Sequence, residues 1–397
     1  MKFHKWCTIG ICCFLIQCFL FSGSSQKTIA LKDIYKTGMI EFAPVLKISK
    51  ESVPADIPFK RLFSISRIHD RLYVLDTDCS NIKVFTADGR FLKTFGKEGS
   101  SESQLNVPNR MNVIDGQLLV WEIGTRRFSI YNADGEFKHT LQPFKKGFAD
   151  NFDSLGNGNL VIERISTGSV GDDIYKMVLI ELYSKNFQLI KELYRKHSIE
   201  FRVFRTPGKD PVYLPLPFQA KVSWYILPGN DGKNSNKLVI GCSDAYSIDI
   251  IDTETGISRT FTHPYSPVNV SEADRNKYFE SFNQYDKDGN ITVQGADRFR
   301  IDNTTFPEYK PVFKRLIADY EGNILVFTFT GSDNGKSFNS ATEFDAFDAD
   351  GQFINHVKIA HDAEISIVRL YSEKDLIFWG HTIEKGIPVG FTKYEAK

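Results

Sequence analysis

Short apolar runs, some alternating and some continuous, recur along most of the chain and are cut by polar turns rich in Gly, Asp and Asn. Runs of that length predict strands rather than helices. The pattern also repeats. Residues 73–91 and 119–137 match landmark for landmark at an offset of 46: Val74 with Val120, Asp76 with Glu122, Phe85 with Tyr131, Asp88 with Asp134. An Ala-Asp-Gly-x-Phe signature closes both copies and a further one, at Asp88, Asp134 and Asp350. Asp-Gly predicts a tight hairpin turn, because Gly accepts φ > 0 and Asp caps the turn. A strand before each unit ends in another turn, at His69-Asp70-Arg71, Asp115-Gly116-Gln117 and Glu321-Gly322-Asn323. Four antiparallel strands in roughly 40–50 residues is the period of a propeller blade.

Degenerate copies fill the rest. Gly158–Leu193 gives a third unit, Val222–Thr262 a fourth and Phe313–Lys358 a fifth; Ile365–Tyr394 gives a sixth that runs out of chain after three strands. Met39–Ile48 is an orphan strand, expected to supply the missing outer strand and close the ring, which leaves no open sheet edge. Two stretches depart from the pattern. Lys196–Leu216, with Pro207, Pro211 and Pro215, reads as a connection. Ser271–Phe282 reads as a helix, with Ser271 and Asp274 resembling a capping box and Tyr278, Phe279 and Phe282 on one face. A strand-like Ile291–Ile301 follows. Residues 271–305 are expected to be a short helical insertion in one domain over 26–397.

Tyr73-Val-Leu-Asp-Thr77, Asn81-Ile-Lys-Val-Phe85 and Asp88-Gly-Arg-Phe-Leu-Lys-Thr-Phe-Gly96 resemble an NHL-type repeat. The chain looks like the exported bacterial six-bladed β-propeller family, most specifically over residues 65–142 and 310–358. The resemblance implies an all-β, six-bladed propeller around a central channel, with ligands met by loops on one face.

At the N-terminus, Lys2, His4 and Lys5 precede an uncharged, mostly apolar Cys7–Phe21, then Ser22-Gly-Ser-Ser25. This is the pattern of a secretory signal peptide over residues 1–25, and the apolar run is shorter than the roughly 18 residues of a span. A periplasmic or secreted protein is expected. Lipid attachment is the competing fate, but no small residue precedes Cys12, Cys13 or Cys18. The signal takes four of the six Cys. The other two, Cys79 and Cys242, fall in matching loops of the first and fourth units, across a six-fold ring. A disulfide needs Cα atoms within about 7 Å, so two free thiols are expected.

Composition changes the picture only by exclusion. Lys+Arg and Asp+Glu are each 49, a net charge of +0, which argues against nucleic acid as a partner. With 42% apolar residues the chain is not disordered. A monomer is expected, with no transmembrane segment after the signal.

Candidate chemistry is sparse. The loops joining second to third strands share a face: Asp76–Asn81, Glu122–Arg127, Glu163–Asp173, Gly241–Tyr246, Thr328–Thr342 and Gly380–Gly386. Asp76, Glu122 and Glu163 stand at what reads as one equivalent position, either a ring of carboxylates for a cation or sugar, or caps of their own loops. Arg126 and Arg127 beside Trp121 and Glu122 are suited to a carboxylate or phosphate group. His381 is the one His on that face. The candidate ligand-binding residues are therefore Trp121, Glu122, Arg126, Arg127, Glu163 and His381. No His pair stands at ligand spacing, and Asp286-Lys-Asp288-Gly289-Asn290 has Ile291 where a Ca²⁺ loop needs Gly, so it reads as a β-turn. No metal and no cofactor is expected. The function expected is an exported binding or interaction module for a protein, peptide or glycan. The alternative is a metal-dependent, lactonase-like hydrolase or lyase, with Asn112, Asp153 and Asp319 near inner-strand ends.

Overall fold

The computed structural model describes residues 30–396, apart from 171–172, 205–211, 230–233, 281–283, 286–290, 293–294, 330–341, 361–365, 372–376 and 385–386. The segment expected to be a signal peptide and Asp286–Asn290 lie outside the described residues.

The chain is all-β in a propeller arrangement, with few helices. Sheet I is Leu62–Ile68, Arg71–Asp76, Asn81–Thr86 and Phe91–Phe95; sheet II is Pro108–Ile114, Gln117–Glu122, Arg127–Tyr131 and Phe137–Leu141. Both are antiparallel meanders. Their middle strands are buried on both faces, which explains continuous apolar runs such as Leu118–Trp121; their last strands are largely exposed and read as polar alternations. The Asp-Gly turns form as expected, with Gly135 at φ 77° and Gly351 at φ 75°. Gly is needed there for a second reason. A Cβ on Gly135 would lie 2.5 Å from the Phe95 ring of sheet I, so the turn of one unit is pressed against the last strand of the one before.

Sheet III is longer: Phe148–Ser154, Leu160–Val170, Asp173–Tyr183, Leu189–Phe204 and Val212–Pro215. Two expectations fail here. Glu163–Asp173 is mostly strand, and Lys196–Leu216 carries strand to Phe204 and again from Val212. The Ser/Thr/Gly-rich polar residues that look like loop are one unbroken hairpin ladder from Leu160↔Tyr183 to Val170↔Asp173. Sheet IV is Val222–Pro228, Asn234–Cys242, Ser247–Asp252 and Ser258–Thr262.

Between sheet IV and the next lie helices Glu272–Glu280 and Gly295–Asn303 and a two-stranded pairing of Gln284–Tyr285 with Ile291–Thr292. Ser271 caps the first helix reciprocally with Asp274: the Asp274 N–H donates to Ser271 Oγ at 3.2 Å and the Ser271 N–H to Asp274 Oδ2 at 2.9 Å. The strand expected over Ile291–Ile301 is corrected to a helix from Gly295. Arg298 and Asp302, one turn apart, pair at 3.2 Å along it.

Sheet V has eight strands. Phe313–Ala318, Ile324–Thr328, Glu343–Phe347 and Phe353–Ala360 lead to Met39–Ile48, then Ile387–Ala396, Ile377–Glu384 and Ser366–Tyr371. The N-terminal strand runs antiparallel to Ile387–Ala396 and touches Phe353–Ala360 in parallel over Met39–Glu41. Strand extends through Gly380–Glu384, so His381 stands in a strand, opposite Ser366, rather than in the loop expected at Gly380–Gly386.

Apolar clusters fill the spaces between neighbouring sheets: I with II around Tyr73 and Tyr131, II with III around Trp121 and Phe152, III with IV around Ile180 and Trp224, IV with V around Tyr246 and Phe313. Another joins Ile48, Trp379 and Phe391 of sheet V to Leu62, Val74 and Phe85 of sheet I, which closes the ring.

Cys79 and Cys242 are both free. Burial pushes each thiol up to about 11, with Asp76 adding to the effect at Cys79. A thiolate is the reactive form, so native protein at pH 8 should react with a disulfide reagent only slowly at both. In denaturant both should react at once. Fast native labelling of either would contradict this.

Candidate functional site

The first strands of sheets I, II and III run side by side, as do those of IV and V. First strands in sheets I, II, III and V share a flaw near the start. The ladder slips by one residue at Phe63, Asn109, Asp150 and Lys314, and again at Val368 in Ser366–Tyr371. A bulge bends a strand and re-aims the side chains beside it, and such bulges collect at rims and sites. Directly after three of them stands an arginine opposite an aromatic residue: Arg110↔Trp121, Arg315↔Phe327 and Arg369↔Trp379.

Arg110 lies across two sheet boundaries. Its guanidinium sits 4.6 Å from the Phe63 ring centroid of sheet I, and its Nε donates to the Asp150 carbonyl of sheet III at 2.5 Å. Further on, Asn112 Nδ2 donates to the Phe152 carbonyl at 2.9 Å. Trp224 Nε1 of sheet IV donates to the buried Glu163 carboxylate of sheet III at 3.0 Å. The Leu316 N–H of sheet V donates to Ser223 Oγ of sheet IV at 3.0 Å. Polar groups thus link the inner strands of neighbouring sheets, with Arg110 and Asp150 near the starts of theirs and Glu163 on the second strand of sheet III.

The electrostatics tie the same groups together. Burial, then the Asp150 carboxylate, raises Glu163 to about 7, against the pull of the Trp224 N–H, Lys176 and Arg110. Burial, then Arg110, lowers Arg315 to about 10. Burial, then Arg315 and Arg110, lowers His381 to about 4, so its ring is neutral at pH 7. His381 Nε2 is a buried atom with no hydrogen-bond partner among the described residues. The rim therefore holds two cationic guanidiniums, a neutral imidazole and a carboxyl poised to titrate.

Both decorations of the ring stand at this end. The extra length of sheet III continues beyond Glu163, at the end where first strands begin. The two helices lead into the start of Phe313–Ala318. They meet: Gly295–Asn303 contacts Val212–Pro215, and Phe306 packs on Phe218, Tyr278 and Phe279 with ring centroids 6.4, 5.4 and 5.5 Å away.

The candidates read from sequence divide into two groups. Trp121 is fully buried between sheets II and III, 4.9 Å from the Phe128 ring. Glu122 is also fully buried and closes its own loop, accepting from the Asn106 N–H, Thr125, Arg127 and Ser129. Arg127 is buried and donates to the Ser101 and Gln104 carbonyls at 2.7 and 2.9 Å; Arg126 is exposed at φ 52°. These four belong to one loop. Glu163 and His381 belong to the channel rim.

The equivalence of Glu163 with Asp76 and Glu122 is corrected by register. Glu163 faces Asn151 just past the bulge, as Trp121 faces Arg110, and Arg164 occupies the place of Glu122. A one-residue slip puts a strand side chain on the other face. Arg164 pairs instead with Glu181 at 2.6 and 2.8 Å.

Sequence reasoning missed Arg110, Asp150, Lys176, Trp224 and Arg315. A signal was present: Arg110-Met111, Arg315-Leu316 and Arg369-Leu370 place a cation before an aliphatic residue in otherwise apolar first strands.

Asn112, Asp153 and Asp319 do not gather. Asp319 is buried in a turn, accepting from Tyr35 at 2.8 Å and Asn323 Nδ2 at 2.8 Å. Elsewhere, a cleft of about 270 Å³ is lined by His263, Lys310, Asp345 and His356. His356 gives both ring nitrogens to carboxylates there, Asp345 at 2.7 Å and Glu343. Among the described residues no group of three or more His, Cys, Asp or Glu is placed to hold a metal ion.

Fold and rim together define an all-β propeller-type protein with a charged channel mouth. No protein-family model matches the chain. The Drosophila melanogaster protein brain tumor is 39% identical over 69 residues, 17% of this chain and 7% of its own length. Among solved structures, a Bacteroides fragilis protein provisionally described as exported is 10% identical, covering 90% of this chain and 95% of its own, at a TM-score of 0.48. A streptogramin B lyase is 13% identical over 90% and 98%, at 0.42, and a Xanthomonas campestris gluconolactonase 11% over 90% and 96%, at 0.38. Identities and scores this low leave the chemistry to be read from the chain's own residues. No helix among the described residues is long and apolar enough to cross a membrane.

Proposed function

We propose that this chain is an exported binding module, a six-bladed propeller of NHL-like units forming one domain over 26–397 behind a signal sequence, that takes its ligand at the channel mouth on the decorated face. The carrying observation is convergence: Arg110, Glu163, Trp224, Arg315 and His381 come from five strands in four sheets to one rim. The six-fold count is supported by the apolar clusters. With sheet V taken as two units sharing the N-terminal strand, each cluster falls between consecutive units. The test is a thermal-shift panel of peptides, glycans and small acids. A ligand at 100 times its Kd adds about 2.7 kcal/mol. One class is expected to raise the Tm, and substituting Arg110 and Trp224 should abolish the rise. A ligand indifferent to those substitutions would place binding elsewhere.

A second reading, catalysis at the same mouth, is favoured by Glu163, whose carboxyl titrates near neutral pH as a proton-transfer group must. Lactone hydrolysis lost in Glu163→Gln, with or without chelator, would establish it.

A further inference from the structure

We infer that the channel mouth binds a compact oxyanion, the carboxylate or phosphate group of a small molecule, between Arg110 and Arg315, with His381 beside it. This rests on the reading that the mouth is the binding site. Arg110 and Arg315 occupy the same register position in two first strands, each directly after a bulge, and Arg369 occupies it in a third. One cation recurring at one register position of a ring places Arg110 and Arg315 alike relative to its axis. Each guanidinium offers a planar fork of donors matched to an oxyanion.

Arg110 is held in place by Phe63 and by the Asp150 carbonyl, which use one face of its guanidinium plane and its Nε–H and leave the other N–H groups for a ligand. Arg315 and His381 are each depressed first by burial and then by the cations beside them, Arg110 for both and Arg315 for His381. An anion among them would relieve that repulsion. The His381 Nε2, buried and without a partner, supplies a further hydrogen-bonding atom. Carboxyls at the rim compete with an anion for the same cations. Glu163 and Asp150 face it from sheet III, with Lys176 on the neighbouring strand and Trp224 opposite.

The pH dependence follows from those neighbours. Below about 7 Glu163 is neutral and the rim is cationic. As pH rises through that value Glu163 gains a negative charge beside Arg110, and the anion must compete with it. Affinity for a carboxylate ligand therefore falls severalfold from pH 6 to pH 8.5, and Glu163→Gln flattens the profile.

The test is calorimetric titration of the folded protein with sodium phosphate and, separately, sodium succinate, at both pH values. Saturable binding is expected, weakened at least about tenfold in Arg110→Gln and in Arg315→Gln, the loss of a charge-assisted pair. An exposed-surface control, Arg259→Gln, should bind as the parent does. Unfolding midpoints check that each variant is folded. If either arginine variant unfolds, the Glu163→Gln pH profile decides alone. Phosphate binding alone assigns the site to a phosphoryl group, and succinate alone to a carboxylate; either upholds it. No saturable binding of either anion, or binding unchanged in both arginine variants, overturns it. A neutral peptide or glycan bound through Glu163 and Trp224 while both anions fail would sink the oxyanion and leave the channel-mouth reading standing.

Discussion

A chain lacking residues 30–48 is expected to lose its monomeric fold. Leu31, Tyr35, Ile40, Phe42 and Ile48 are all at most 3% exposed. Burying a large apolar side chain contributes about 1.5–3 kcal/mol, so together these five supply on the order of 10 kcal/mol. That is comparable to the whole stability of a typical domain, about 5–15 kcal/mol. The deletion also breaks the Tyr35–Asp319 hydrogen bond at 2.8 Å and strips the ladder from Phe42↔Ala396 to Ile48↔Phe391. Ile387–Ala396 and Phe353–Ala360 would become open edges, which recruit other chains. Size-exclusion chromatography should show aggregate or oligomer in place of monomer. A synthetic peptide of residues 30–49, added in trans during refolding, should restore the monomer. A truncated chain that stays monomeric with an unchanged unfolding midpoint would refute the closing role of this strand.

The second large effect concerns a buried ion pair. Asp76 and Lys83 are both fully buried and pair at 2.8 Å. Asp76 also accepts from the Lys60, Arg61 and Cys79 N–H groups at 2.9, 3.1 and 3.2 Å, tying two loops to one carboxylate. Asp76→Ala leaves the Lys83 ammonium with Asn81 at 2.8 Å and the Phe59 ring nearby, but no counter-charge. Removing one partner of such a pair costs about 3–5 kcal/mol, because an uncompensated charge stays buried. Adding Lys83→Met should recover much of the loss, since the stranded charge is then gone. Urea unfolding of the parent and both variants measures this. Equal midpoints for Asp76→Ala and the parent would mean that the pair is not buried as described.

The repeat was legible because its physics is local. Gly135 and Gly351 are required both by their backbone angle and by the aromatic ring packed against them, so the Asp-Gly-x-Phe signature marks turns wherever it occurs. Ser271 and Asp274 announced their helix for the same reason. The orphan strand was found because the last unit was one strand short. What stayed hidden depends on register and on distant partners. Glu163 aligns by eye with Asp76 and Glu122, but a bulge in the paired strand, invisible in residues 160–164 themselves, sets it one place apart. The extension to Phe204 alternates, with Ile199, Phe201 and Val203 between Ser198, Glu200 and Arg202, but the prolines that follow make the whole stretch read as a connection. Arg110 and Arg315 look like ordinary surface cations until the ring brings their strands to a common axis.

The pairing of Met39–Ile48 with Ile387–Ala396 also sets an order of events. Synthesis delivers the first of these strands earliest and its partner last. Apart from the short parallel contact of Met39–Glu41 with Phe353–Ala360, the other strand pairings join segments made in close succession, whereas this one must close nearly the whole chain, the contact with the greatest loop entropy. Until it forms, the emerging chain carries an unmatched apolar strand at its leading end and an incomplete sheet at its trailing end. Ring completion is therefore the slowest pairing to form, possible only once Ile387–Ala396 has been made, and the interval before it is when the chain is most exposed to aggregation and to chaperones.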